Sequence, residues 1–278
     1  MTAVGILTRA GPLVGARPHR LALAPASVLA ASGILLFGFE LDLAGYSLLA
    51  ASLVLALTIS TALFRDLGLV AIGVVAVSAV PITTDISLAH MAVMGTAMAV
   101  AVAVPYLLSR FVFGDRAIRF PLTHPRTWTR PERWWLVLVV VLGYAILPVY
   151  MIRSGVYQNW PAVDGPDQIG RLFLGTNVLG IWDELFFVCT VFTLLRRHLP
   201  MWQANLLQAV LFTSFLWELG FHSVGPLLIY PFALVQGWTF ATTRSLSYVV
   251  AVHLLFDLVL FGVLLHAHQR DWLAIFLY

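Results

Sequence analysis

Long apolar segments recur along almost the whole chain and restrict what it can fold into. A membrane-spanning helix needs about 20 consecutive apolar residues. Segments near that length occur at approximately 21–39, 43–64, 67–82, 88–113, 134–152, 171–195, 204–222, 226–243 and 246–265. The third segment is short, so eight spans are an alternative to nine. The sequence therefore predicts an all-α fold, a polytopic membrane helical bundle of about eight or nine transmembrane helices.

The composition supports the same class of protein. Of 278 residues, 60% are hydrophobic and 10% are charged, whereas soluble domains carry about 25% charged residues. No polar stretch is long enough to enclose the core of a separate soluble domain. All 16 basic residues are arginines, and they flank apolar segments as topology signals do. The formal charge of +3 therefore indicates a protein in a lipid bilayer, and we expect no nucleic-acid partner.

Arginines and acidic residues fall in alternate loops. On one side we expect the N-terminus with Arg65, Arg116, Arg119, Arg126, Arg130, Arg133, Arg196, Arg197 and Arg244. The opposite loops hold Glu40, Asp42, Asp85, Asp164 and Asp167. Because arginine-rich loops stay in the cytoplasm, the pattern predicts a cytoplasmic N-terminus.

Polar residues within the apolar segments are distributed unevenly along the chain. Residues 1–133 have almost none, and we expect them to form N-terminal transmembrane scaffold helices and a cytoplasmic loop. Residues 134–278 hold all the polar clusters. This second part is therefore the predicted functional domain.

Six ionisable side chains lie in the apolar second half of the chain. They form three groups: Asp183 with Glu184, Glu218 with His222, and His253 with Asp257. Each charged group at the centre of a bilayer costs roughly 2.5–3.5 kcal/mol. Such groups are tolerable when they face inward and meet one another, so all six are candidate site residues.

The spacing of these residues suggests how each pair is used. Glu218 and His222 are four residues apart, as are His253 and Asp257, so each pair shares one face of a helix. A carboxylate at that spacing can fix the tautomer of its histidine. Asp183 and Glu184 point about 100° apart, so one of them could act on a substrate while the other holds a neighbouring helix.

Two kinds of hydrolytic chemistry fit these residue types. In the first, a carboxylate activates water while histidines stabilise the oxyanion and protonate the leaving group, and no cofactor is needed. In the second, a divalent metal such as zinc activates the water. Its candidate ligands are His222, His253, Glu184 and Asp257. The zinc-binding HExxH pattern is absent, and the residues alone leave both mechanisms open.

The three polar groups resemble the motifs of the CPBP family, the type II CAAX prenyl endopeptidases and bacterial Abi-type intramembrane proteases. Members carry Glu-Glu-x-x-x-Arg, Phe-x-x-x-His and His-x-x-x-Asn/Asp motifs on successive membrane helices. Here the corresponding stretches are DELFFV at 183–188, ELGFH at 218–222 and HLLFD at 253–257. The stretch 231–257 also resembles the family's final helices, so the resemblance covers about residues 134–265.

The resemblance implies an intramembrane endopeptidase that cuts a membrane-associated protein or peptide. Asp183 would take the water-activating position beside Glu184, His222 and His253 would polarise the carbonyl or water, and Asp257 would complete the oxyanion site. Glu218 has no role in the family pattern, and we expect it to orient His222. Similarity to bacterial members further implies the bacterial plasma membrane.

The chain departs from the family pattern in ways that leave other functions open. Asp183 replaces a glutamate, Val188 replaces the motif arginine, and Glu218 replaces a phenylalanine. Hydrolytic activity is therefore uncertain. One alternative is a non-catalytic subunit or scaffold with partners in a membrane complex. Another is a proton-coupled transporter, since intramembrane Asp, Glu and His residues also form proton relays.

Overall fold

The fold is described by a computed structural model covering residues 20–122, 127–270 and 273–276. These residues form nine main helices and no strand. The helices are α1 (Leu23–Gly38), α2 (Asp42–Ile59), α3 (Thr61–Ser78), α4 (Leu88–Val112), α5 (Arg130–Arg153), α6 (Pro166–Leu195), α7 (Met201–Glu218), α8 (Gly225–Thr243) and α9 (Leu246–His268). Six of them are long and apolar enough to cross a membrane by length and composition. The predicted all-α membrane bundle is confirmed.

Side-chain caps explain where several helices begin. The Ser60 hydroxyl accepts a hydrogen bond from the Leu63 amide, and the extended backbone of Ser60 separates α2 from α3. For this reason α3 begins at Thr61, earlier than the predicted span 67–82. Thr129 and Glu132 form a reciprocal capping box at the start of α5, and Ser245 caps α9. These caps satisfy amide groups that lack a partner within the helix.

Helix α6 is the centre of the bundle. Within its most apolar window 72% of the residues are buried inside the protein, against 22% for α2. It contacts α3, α4, α7, α8 and α9, while α5 packs mainly on α9. An aromatic cluster packs at this centre. The ring of Trp182 stacks on that of Phe186 with 5.1 Å between ring centroids, and its centroid lies 5.0 Å from that of Phe215.

A polar cluster, buried at Asp66 and His198, ties together one end of the bundle, and sequence analysis missed it as a group. Arg197 donates to Asp66 at 3.1 Å and to Asp115 at 2.7 Å. His198 Nε2 lies 2.6 Å from the second oxygen of Asp66, and Ser109 donates to Asp115 at 2.6 Å. We call Asp66, Asp115, Arg197 and His198 the end cluster. It joins α3, the segment after α4 and the α6–α7 turn.

Successive connections alternate between the two ends of the bundle. The end cluster joins the start of α3, the segment after α4 and the α6–α7 turn, and the Leu246 amide at the start of α9 donates to the Pro121 carbonyl after α4. We call this the arginine-rich end. The opposite end, where Glu40 and Asp42 approach Glu218, is the acid-rich end. This arrangement agrees with the predicted segregation of charged loops. The cytoplasmic N-terminus and the division at residue 133 stay predictions.

Candidate active site

The candidate site begins where α6 changes its hydrogen-bond pattern. From Glu184 to Phe192 the helix is a π-helix, in which the backbone bonds span one more residue than in an α-helix. The Thr190 hydroxyl donates to the Leu185 carbonyl, five residues back, at 2.9 Å. Such wide turns are frequent at functional sites. Asp183 and Glu184 lie at this transition and are almost completely buried.

His253 of α9 lies between these two carboxylates. Its Nδ1 atom is 2.7 Å from Oε1 of Glu184, so the imidazole donates a hydrogen bond to that carboxylate. Its Nε2 atom is 3.8 Å from Asp183 and 3.8 Å from Asp257. Glu184 therefore holds the imidazole so that Nε2 faces the other two carboxylates. We call Asp183, Glu184, His253 and Asp257 the cavity cluster.

Gln236 of α8 is a site residue that sequence analysis missed. Its side-chain amide donates to Oε1 of Glu184 at 2.7 Å and to the Val249 carbonyl at 3.0 Å. It is 1% exposed, so no water competes for these bonds. The signal that could have found it is a single amide within the apolar segment of α8. Gln236 joins α8 to Glu184 and to α9.

A glycine allows Asp257 to approach α6. A Cβ atom at Gly180 would lie 2.0 Å from Oδ2 of Asp257 and 3.0 Å from Cδ2 of His253. Any larger residue would displace at least one of these side chains. Gly180 is therefore required for the observed geometry of the cavity cluster.

Several buried oxygens of the site have no hydrogen-bond partner among the described residues. They are Oδ1 of Asp183, Oε2 of Glu184, Oδ2 of Asp257 and Oε1 of Gln236. Leaving a buried polar atom unpaired costs about 1–3 kcal/mol. Unpaired carboxylate oxygens beside an imidazole can accept protons or bind water, which suits general acid–base chemistry.

An apolar cavity of about 300 Å³ reaches the cavity cluster. Asp183, His253 and Asp257 line it together with apolar residues of α5, α6, α8 and α9. Leu142 and Ile146 of α5 and Leu227 of α8 also line it, and they are 40%, 39% and 74% exposed. The cavity therefore reaches the outside of the bundle between α5 and α8, at the surface that would face lipid.

Glu218 and His222 lie away from this cluster. Helix α7 ends at Glu218, and Gly220 and Ser223 adopt positive φ values of 116° and 61° in the turn that follows. The two residues therefore do not share a helical face as predicted. His222 is exposed, and its Nδ1 accepts a hydrogen bond from Asn159 at 3.3 Å. Neither Glu218 nor His222 lines the cavity.

The part of α7 that approaches the site is apolar. The ring of Phe212 lies 6.2 Å from that of His253, and Leu216 lines the cavity. The structure thus brings four of the six predicted site residues together, with one histidine among them. A catalytic role for any of the six stays a prediction.

The predicted metal ligands do not form one site. His222 lies at the acid-rich end, apart from His253, Glu184 and Asp257. Among the described residues, no group of three or more His, Cys, Asp or Glu side chains has a geometry that could hold a metal ion. These residues do not fit the proposed ion, and no step of the chemistry below passes through a metal.

Comparison with known proteins bears on the segment that contains this site. Residues 165–259 match the family model described as type II CAAX prenyl endopeptidase, Rce1-like. This segment is therefore similar to the CPBP family. The resemblance inferred from the three motifs is confirmed for this segment. No curated protein and no solved structure matches the chain significantly.

The CPBP segment contains the whole cavity cluster and Gln236, whereas α5, which forms one wall of the cavity, precedes it. Val188, at the position of the family arginine, is 1% exposed among apolar neighbours. Gln236 is the side chain that donates to Glu184 from another helix. In this segment a neutral amide therefore supports Glu184, the second carboxylate of the first motif.

Proposed function

We propose that this chain is an intramembrane endopeptidase that hydrolyses a peptide bond close to an apolar chain carried by its substrate. One observation carries the proposal: Asp183, His253 and Asp257 converge on the wall of an apolar cavity that reaches the lipid-facing surface. Titratable groups at an apolar pocket are the usual arrangement of an active site. The family description supports a CAAX-type peptide with an S-prenyl cysteine as the substrate.

The cavity suits such a substrate. Pockets of about 300–1,000 Å³ hold small molecules, and this cavity of about 300 Å³ has almost entirely apolar walls. A prenyl chain would bury its surface there at a gain of about 25 cal/mol per Å². The opening between α5 and α8 would admit the chain from the bilayer, while the peptide lies against Asp183 and His253.

The chemistry starts at Asp183. Its carboxylate takes a proton from water as the water oxygen bonds to the scissile carbonyl carbon. Nε2–H of His253 donates a hydrogen bond to the oxyanion, and Glu184 fixes the imidazole for this role. When the C–N bond breaks, the leaving nitrogen takes the proton held by Asp183. Asp257, on the other side of Nε2, orients the imidazole and the water.

The test is cleavage of a fluorogenic farnesylated CAAX peptide by the purified protein in proteoliposomes. We expect Asp183→Asn and His253→Gln to lower kcat/KM by about 100-fold or more, because general acid–base catalysis contributes that much. Asp164→Asn is the matched control, since Asp164 is exposed in a loop. Folding of each variant is checked by its elution volume and thermal unfolding. Full cleavage by folded Asp183→Asn would contradict the proposal.

A second candidate function is a non-catalytic member of a membrane complex. The observation that favours it is the single histidine at the cavity, with Phe212 and Leu216 on the face of α7 that approaches it. Under this alternative the parent protein cleaves no prenylated peptide and co-purifies with a stoichiometric partner. Substitutions of exposed surface residues would release the partner, whereas the folded His253→Gln protein would still bind it.

We infer that the N-terminus is cytoplasmic and that the host membrane is a bacterial plasma membrane. The arginine-rich end supports this orientation. Cys189, the sole cysteine, is buried, so single cysteines introduced at Arg116 and Asp164 report the two ends. A membrane-impermeant thiol reagent added to intact cells should label Asp164→Cys and leave Arg116→Cys unlabelled. The reverse pattern would overturn the orientation.

A further inference from the structure

Trp160 separates the cavity from a second apolar space. This second space, which we call the groove, has a volume of about 220 Å³ and lies between α4 and α6. Trp160, Thr176 and Leu179 line both the cavity and the groove. Among these three residues, Trp160 has the largest side chain and is 5% exposed. Its indole therefore forms much of the wall between the two spaces.

The loop between α5 and α6 fixes the position of this indole. Asn159, the preceding residue, donates to the Gly220 carbonyl at 2.8 Å and accepts a hydrogen bond from the Thr84 hydroxyl. The Trp160 ring packs edge-on against Phe221 at 5.3 Å. These contacts place Trp160 at the acid-rich end of the cavity, on the far side of Gly180 from Asp183.

The indole makes no hydrogen bond to any residue that the structure describes. Its Nε1 atom is buried and has no acceptor among the described residues. A buried donor without a partner costs about 1–3 kcal/mol. Burying Trp160 therefore lowers the stability of the fold through its unpaired Nε1 atom. Its ring packs against Phe221 and lines the two apolar spaces.

The groove beyond Trp160 has room for an apolar chain. Met91, Met94 and Met98 of α4 form one wall, and methionine side chains adapt easily to different occupants. Gly95 of α4 and Gly175 of α6 also line the groove, and a Cβ atom at either would meet nothing within 4 Å. A Cβ atom at either position would therefore lie in open space beside the groove.

We propose that Trp160 sets the length of the apolar chain that the site accepts, by closing the cavity before the groove. The proposal rests on the proposed function, since it names a specificity determinant of the same substrate. A chain that ends before Trp160 fits the cavity. A longer chain must either stop outside or displace the indole, and with a smaller residue at position 160 it would continue into the groove.

The experiment compares farnesylated peptides with geranylgeranylated peptides, which are one isoprene unit longer. The parent protein should favour the farnesyl substrate. Trp160→Ala should raise the ratio of geranylgeranyl to farnesyl kcat/KM by about tenfold or more, the scale at which apolar pockets discriminate chain length. Because removing a buried indole can prevent folding, Trp160→Leu serves as a second variant that keeps much of the bulk.

Filling the groove supplies the decisive control. Gly175→Leu added to either Trp160 variant should return the substrate ratio toward the parent value, while Gly175→Leu alone should leave it unchanged. Gly68→Leu in α3 controls for the loss of a helical glycine, since its Cβ also meets nothing within 4 Å and Gly68 lines neither space. An unchanged ratio in both folded Trp160 variants would overturn the proposal, and so would a raised ratio that Gly175→Leu does not reverse.

A binding measurement separates this proposal from the proposed function. S-farnesyl and S-geranylgeranyl cysteine methyl esters are titrated into detergent-solubilised protein and into the Trp160 variants. If the parent cleaves neither peptide while the Trp160 variants still shift their binding preference toward the geranylgeranyl ester, the result contradicts the peptidase function and leaves the role of Trp160 standing. Equal affinities for the two esters in the parent and in both variants would contradict the role of Trp160.

Discussion

Two groups of carboxylates with a histidine lie in this bundle, and they differ in how their charges are paired. In the end cluster, Asp66 binds His198 at 2.6 Å and Arg197 at 3.1 Å. In the cavity cluster, Glu184 binds His253 at 2.7 Å, and no arginine pairs with any of the three carboxylates among the described residues. Both groups combine carboxylates with an imidazole. The guanidinium of Arg197 pairs with the carboxylates of the end cluster, whereas the cavity cluster borders a cavity.

The difference shows which buried charges are structural. Every carboxylate oxygen of the end cluster has a partner: Arg197 and His198 for Asp66, and Ser109, Ala117 and Arg197 for Asp115. Each carboxylate of the cavity cluster leaves one oxygen unpaired. Removing one partner of a buried ion pair is strongly destabilising, because it leaves the other charge uncompensated. Unpaired carboxylates at a cavity remain available for chemistry.

Among the changes that compare the two clusters, Gly180→Ala is expected to have the largest effect on activity. The new Cβ atom would lie 2.0 Å from Oδ2 of Asp257, so Asp257 must rotate away from its present position. A displacement of about 1 Å at a reacting group can lower a rate by about 100-fold. We expect this loss in kcat/KM for the farnesylated peptide, with the thermal unfolding of the protein little changed. Gly175→Ala, on the same helix and facing open space, is the control, and equal activity of the two variants would show that the Asp257 geometry is unimportant.

The opposite pattern is expected for Asp66→Asn in the end cluster. The change removes the carboxylate that pairs with Arg197 and His198, and breaking a buried ion pair costs about 3–5 kcal/mol of stability. Denaturant unfolding in detergent should show this loss, while kcat/KM of the folded fraction stays close to that of the parent. A strong loss of kcat/KM without loss of stability would place the end cluster in the reaction.

Acid should weaken the end cluster through Asp115. Burial raises the pKa of Asp115, but hydrogen bonds from Ser109 and Arg197 outweigh this effect and hold the pKa below its usual 3.8. A lowered pKa means that the carboxylate stabilises the fold above about pH 4, and that this contribution is lost as the pH falls through the folded-state value. The thermal unfolding midpoints of the parent and of Asp115→Asn should therefore differ at pH 7 and converge below about pH 4. A difference that persists in acid would contradict this assignment.

The smallest effect is expected for His222→Gln. His222 is exposed in the turn after α7 and lies outside the cavity, and exposed substitutions usually change stability by less than about 0.5 kcal/mol. Cleavage of the farnesylated peptide should proceed at the parent rate, in contrast to His253→Gln. If the two variants lose activity to the same extent, His222 reaches the substrate in the working enzyme.

Sequence patterns predicted the helices well because their signals are local. Apolar length predicted eight or nine helices, and the described residues form nine, with the third beginning at Thr61 instead of residue 67. The motif at 253–257 correctly placed His253 and Asp257 together. The neighbours Asp183 and Glu184 were expected to divide their roles, and they lie toward opposite nitrogens of His253. The prediction from the motif at 218–222 was wrong, because a spacing of four residues places two side chains on one face only within a continuous helix. Gly220 is at φ 116°, so the helix has ended before His222.

By itself, the sequence determined an all-α membrane bundle, the segregation of arginines and acidic residues between its ends, and the polar residues available for a site. These properties follow from apolar length, charge and spacing along one segment, which act locally. Tertiary structure decided which polar residues meet, since Glu184 reaches His253 across 69 positions and Gln236 across 52. It also decided that Arg197 neutralises one cluster and that a cavity borders the other. Such contacts depend on how helices distant in sequence pack together, and no periodicity within one helix encodes them.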